Sequence, residues 1–203
     1  MARIGVSLNE VLRDFLGQLT YTYEKYIEET DIEEGTITEL DLMKYFKFAS
    51  VDAMNKFLFD EAALEIFGHA DQAQENLMTK FNMFLMEIKD DEEHEIEIVS
   101  REINKSIPST LFFLSKLSCK AEKLRFVMNY EDYWDGLDVL VTANPTALEA
   151  KPEGKISIKI NTSYNKDSKS DFELDSLISF ITDEQLRDKI LNTTITTYEE
   201  IEE

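Results

Sequence analysis

The sequence predicts an α/β fold, a doubly wound parallel sheet with a helical insertion. Three observations carry this. Short apolar runs rich in β-branched residues alternate along the chain with stretches of helical spacing, the pattern that builds a parallel sheet covered on both faces. Three of these runs lead into a small polar residue, at Ser7, Ser100 and Thr142. Between the first and second runs lies a long segment whose apolar residues fall at helical intervals.

Ile4 to Val6 form the first strand. Residues 14–29 follow as a helix, with Phe15, Leu16, Leu19, Tyr23, Tyr26 and Ile27 close to a 3.6 period, and an acidic turn over 28–35 ends it. Residues 38–88 read as three helices. Thr38 with Asp41 resembles a capping box before Leu42, Met43 and Phe46. Ser50 opens the second helix, which runs through Met54, Phe57, Leu58, Ala62 and Ile66 to a stop at Gly68. Asp71 caps the third, with Leu77, Phe81, Phe84, Leu85 and Ile88 on its apolar side. The run 90–95 is charged, and without a glycine or regular ligand alternation it reads as a solvated connector, not a calcium loop. Residues 95–99 are the second strand, 109–116 a helix that Pro108 helps to start, and 124–128 and 139–141 two further strands. Ile156 to Ile160 alternate as a strand after the turn at 152–154. Residues 171–191 read as a helix, bent near Thr182, and residues 192–198 as strand-like before a Glu-rich end.

Three segments carry more than fold information. The first is Ile4-Gly5-Val6-Ser7-Leu8-Asn9-Glu10-Val11-Leu12-Arg13-Asp14-Phe15. The second is the strand 95–99 ending in Ser100-Arg101-Glu102, and the third is Asp138-Val139-Leu140-Val141-Thr142-Ala143-Asn144-Pro145. In this order they resemble the first, second and fourth motifs of haloacid-dehalogenase-like (HAD) phosphatases, especially the 5'(3')-deoxyribonucleotidase-like branch. The resemblance covers residues 1–19 and roughly 92–165. It implies a HAD-like core over 1–19 and 92–191, a helical cap over 20–91 and an extension over 192–203.

The resemblance also shows what is missing. The family attacks phosphorus with one Asp, uses a second as acid and base, and places both at a magnesium site. Ser7 stands at the nucleophile position, Asn9 at the acid/base position and Glu10 at a glycine position. Thr142 and Ala143 occupy the acidic pair of the fourth motif, and residues 130–134 lack the lysine of the third. Of the expected set only Ser100 survives, so Ser7, Asn9, Ser100, Thr142 and Ala143 are expected to form a vestigial pocket without catalysis. No metal and no cofactor are expected. His69, His94 and the single Cys119 make no ligand pattern, and Cys119 reads as a small core residue.

Composition adds limits. The chain is 43% hydrophobic, and no run approaches the roughly 18 apolar residues of a membrane span. The N-terminal strand does not read as a secretory signal, so the host cytoplasm or a virion is expected. The net charge of −21, from 42 acidic and 21 basic residues, opposes a grip on nucleic-acid phosphates. The resemblance implies a HAD-like pseudoenzyme serving as a structural or adaptor subunit, and because the sequence is similar to small HAD proteins of tailed phages, crAss-like ones included, a virion or tail is the specific expectation. Its partners would be further copies and other subunits with basic surfaces, reached through the Met- and Phe-rich insertion and the extension 192–203, and neither nucleic acid nor membrane. Alternatives are a phosphatase or phospho-ligand-binding protein, and an acidic mimic that occupies a DNA-binding protein.

Overall fold

The computed structural model describes residues 2–27, 32, 37–91 and 94–190. Six strands form its centre: β1 (Ala2–Ser7), β2 (His94–Arg101), β3 (Lys123–Val127), β4 (Val139–Thr142), β5 (Ile156–Ile160) and β6 (Phe172–Leu174). They make one all-parallel sheet in the order β3-β2-β1-β4-β5-β6. Strand order reverses beside β1, where Val6 pairs with Ile98 on one side and Val141 on the other. Ser7 and Thr142 therefore end two neighbouring central strands at the place where sheets of this kind form a crevice.

Alternation along the strands divides two cores. Ile4, Val6, Ile96, Ile98, Val139 and Val141 face a layer that includes helices α3 (Leu77–Asp91), α4 (Ser106–Lys116) and α6 (Leu177–Thr182), through Phe81, Phe84, Phe113 and Phe180. Val99 and Leu140 face the other way, onto Tyr133, Trp134, Leu137 and Ala147. Helix α5 (Pro145–Glu149) lies on this second face, capped by Asn144, whose Oδ1 accepts the Ala147 N–H at 3.0 Å. This is the doubly wound α/β architecture expected, and it is compatible with a HAD-like core.

The insertion builds a third core. Helix α1 (Phe15–Ile27) opens it, with Asp14 Oδ1 accepting the Gly17 N–H at 3.0 Å. Leu19 and Tyr23 of α1 bury against Phe46, Phe57, Leu58 and Phe67. The remainder departs from three regular helices. The segment after Thr38 is a single 3-10 turn over Leu42–Lys44, and Thr38 caps nothing: its N–H donates to the Tyr45 hydroxyl at 2.9 Å. Ser50 does cap its helix, α2 (Val51–Lys56), which then widens into π turns over Phe57–Glu61 and Leu64–Gly68. Asp71 does not cap α3; the Gln72 Oε1 accepts the Met78 N–H at 2.7 Å instead. The last helix of the insertion, α3, buries Phe81, Phe84 and Ile88 in the core of the sheet itself.

Residues 171–191 are not one helix. Phe172–Leu174 join the sheet as β6, α6 follows, and Asp183 separates it from a helical stretch over 184–190. Asp171 fixes the strand by accepting from both the N–H and the hydroxyl of Ser157 on β5. The strand-like pattern at 192–198 and the Glu-rich end lie outside the described residues.

Candidate functional site

The loop after β1 is tightly wound. Leu8 O accepts the N–H groups of Val11, Leu12 and Arg13 at 2.8 to 3.2 Å, and Glu10 N–H returns to Arg13 O at 2.7 Å. Closing the turn puts Glu10 at φ 62°, the left-handed region where glycine carries least strain. The backbone thus keeps a glycine-type turn although a glutamate occupies it. Asp14 N–H and Leu12 O tie the loop to Asp71 O and Ala73 N–H.

The five residues singled out in the sequence all lie at the strand ends. Ser7, Ser100, Thr142 and Ala143 are buried, each no more than 3% exposed. Thr142 Oγ1 accepts the Asn144 N–H at 3.1 Å, and Ala143 O accepts from the Asn165 amide at 2.9 Å. Asn9 Oδ1 faces a guanidinium. Ser100 Oγ donates to Glu102 Oε1 at 2.9 Å. Among the described residues the Ser7 hydroxyl and Glu102 Oε2 are buried without a hydrogen-bond partner.

Arg13 and Glu102 organise this region, and sequence reasoning missed both. Neither side chain is accessible to solvent. Every guanidinium N–H is used. Nε and Nη2 donate to Asn9 Oδ1 at 3.0 and 2.6 Å, and Nη2 also to Glu102 Oε1 at 2.6 Å. Nη1 donates to Thr110 Oγ1 at 2.7 Å and to Phe67 O at 3.2 Å. The guanidinium lies between the rings of Phe67 and Phe113, 4.9 and 5.6 Å from their centroids. Thr110 Oγ1 completes the set by donating to Glu102 Oε1 at 3.0 Å. One cation thereby joins the β1 loop, the end of β2, helix α4 and the second π turn. With all five donors engaged, Arg13 has none left to offer a phosphoryl group.

Three tyrosines crowd the same end. Tyr133 accepts the Arg101 N–H on its hydroxyl at 2.9 Å, and Tyr130 packs against it with ring centroids 5.6 Å apart. Burial pushes the phenols of Tyr130, Tyr133 and Tyr164 above their ordinary value. Burial also raises the Glu10 carboxyl to about 7, against the opposing bond in which it accepts the Leu16 N–H at 2.8 Å. Glu10, Asp14, Glu24, Tyr21 and Tyr164 line an open cavity of about 550 Å³. Its charged lining residues are all acidic, the wrong sign for a phosphate.

The strand-end set does not fit a divalent cation. Asn9 Oδ1 already accepts from two guanidinium nitrogens, and Ser7, Thr142 and Ala143 bring no carboxylate. Among the described residues, no three His, Cys, Asp or Glu side chains converge as a metal set, and no helix is long and apolar enough to cross a membrane. Cys119 is half-buried, and burial raises its thiol above the ordinary range. No protein-family model matches the chain, and no curated protein matches it at a significant level.

Proposed function

We propose that this chain is a catalytically inactive HAD-like protein used as a structural or adaptor subunit, with a tailed-phage virion or tail as its setting. The observation that carries the loss of catalysis is the buried Arg13 guanidinium bound to Asn9 and Glu102 at the strand ends. A phosphatase needs a reachable nucleophile and an ionisable acid there. Here the nucleophile position is a buried serine, the acid position is an amide, and a fully engaged cation stands beside that amide. The HAD assignment rests on the three segments at the ends of β1, β2 and β4, and the doubly wound sheet is compatible with it. The phage setting rests on the sequence resemblance alone.

An adaptor role draws support from the surface. Met83, Met86, Leu64, Phe112 and Met128 are large apolar side chains left exposed on a chain of net charge −21. The test is affinity purification of the tagged chain from its native source, followed by mass measurement of the intact complex. The proposal expects a defined complex with a fixed copy number. A free monomer that co-purifies with nothing contradicts it.

A further inference from the structure

The solvent face of α4 differs in charge from the rest of the molecule. Acidic residues are 42 of 203, so a stretch of 19 residues would hold about four; residues 103–121 hold none, and contain Lys105, Lys116 and Lys120. Lys105 Nζ donates to Asp60 O at 3.2 Å and Lys116 Nζ to Ala70 O at 3.0 Å, both backbone carbonyls that leave their positive charge unneutralised. Between these two lysines the helix exposes Leu111 (48%) and Phe112 (43%). Leu64 (50% exposed) extends the patch from the adjoining π turn. Gly68 permits that continuity. A Cβ there would lie 2.8 Å from Leu64 Cδ1 and 3.2 Å from Phe112 Cδ1, so the missing side chain lets the two meet above it. His69 closes one side, its ring 5.3 Å from that of Phe112. Of the nearby acids, Glu61 pairs with Lys56 and Glu65 with Lys25, and Asp60, whose carbonyl Lys105 contacts, lies within electrostatic reach of Lys56.

We propose that this face receives the segment 198–203 of a second copy of the chain. The segment reads Tyr-Glu-Glu-Ile-Glu-Glu, two apolar side chains among four glutamates. It complements an apolar strip with a lysine at each end, and charge complementarity of this kind sets orientation and rejects wrong partners. Phe112 and Leu64 would take Tyr198 and Ile201, while Lys105 and Lys116 would face the glutamates. This inference rests on the assembly reading and names one of its contacts.

A charge-swap experiment on the full chain tests it. One variant carries Lys105→Glu with Lys116→Glu; the other carries Glu199→Lys, Glu200→Lys, Glu202→Lys and Glu203→Lys. Sedimentation equilibrium is measured for the original chain, each variant and their equimolar mixture. The original chain should self-associate, each variant should associate roughly tenfold more weakly or worse, and the mixture should recover association. Phe112→Ala, which changes no charge, should also weaken self-association. Far-ultraviolet circular dichroism spectra of all variants should match the original, because the altered helix residues are exposed.

A mixture that stays apart overturns the proposal, as does self-association that neither variant disturbs. A strictly monomeric original chain overturns it too. The assembly reading is judged separately, by what co-purifies from the native source, so the two can fail independently.

Discussion

At Arg13 a guanidinium with no solvent contact spends its five donors on Asn9, Glu102, Thr110 and Phe67 O. Such a group is stable only while its partners remain, because an isolated buried charge costs several kcal/mol. Arg13→Met should therefore destabilise the fold by about 3–5 kcal/mol, since Glu102 loses its counter-charge. The paired change Arg13→Met with Glu102→Leu should recover much of the loss. Urea unfolding of the three proteins measures both, and a loss below about 1 kcal/mol for the single change would place the pair at a water-filled site. Glu10 gives a pH signature of the opposite sense to that of most carboxylates. Its folded value is about 7 against an ordinary 4.5, so between these limits the folded state holds a proton that the unfolded state has released. Its contribution to stability is complete below about 4.5 and is lost as pH rises through about 7. Glu10→Gln should flatten that part of the urea-midpoint profile; an unchanged profile would show that Glu10 titrates normally.

At the scale of elements, two substitutions probe how strands and helices are placed. A Cβ on Gly5 of β1 would fall 2.2 Å from Leu137 Cδ1, so Gly5→Ala should cost about 1–3 kcal/mol through overpacking. Asn144→Ala removes the α5 cap and should cost about 1 kcal/mol. Thermal melts check both, and a neutral Gly5→Ala would mean that Leu137 repacks freely. The strands β1 to β5 were legible because each carries apolar, often β-branched residues, in a run as in β4 or in alternation as in β2 and β5. β6 was not, since three residues cannot show a period of two and Phe172 and Leu174 also fit the helical spacing of Leu177, Ile178 and Ile181. The π turns escape the spacing too, because each spans only five residues, little more than one turn, too few for a change of period to show. The strand-end positions Ser7, Asn9, Ser100, Thr142 and Ala143 could be picked out because the segments that carry them resemble HAD motifs in order and in flanking residues. The Arg13–Glu102 pair could not, because its partners are 89 positions apart. The one local hint was an arginine directly after the apolar Val11-Leu12 run, just before Phe15.

Across the whole molecule, these features give a coherent division. The sheet and its two faces provide a rigid α/β body, and the insertion closes over the strand ends through Phe67 O and the β1 loop. Exposed apolar side chains lie on the outer helices, at Met83 and Met86 of α3 and at Leu111 and Phe112 of α4, and also nearer the strand ends, at Tyr21 and Met128. On the proposed reading the strand ends do not catalyse phosphoryl transfer. The direct measurement is release of inorganic phosphate from deoxynucleoside monophosphates and p-nitrophenyl phosphate by the purified full chain with Mg²⁺, before and after repurification. Release should be indistinguishable from a control lacking protein. Turnover that scales with the chain, survives repurification and disappears in Ser7→Ala would contradict it.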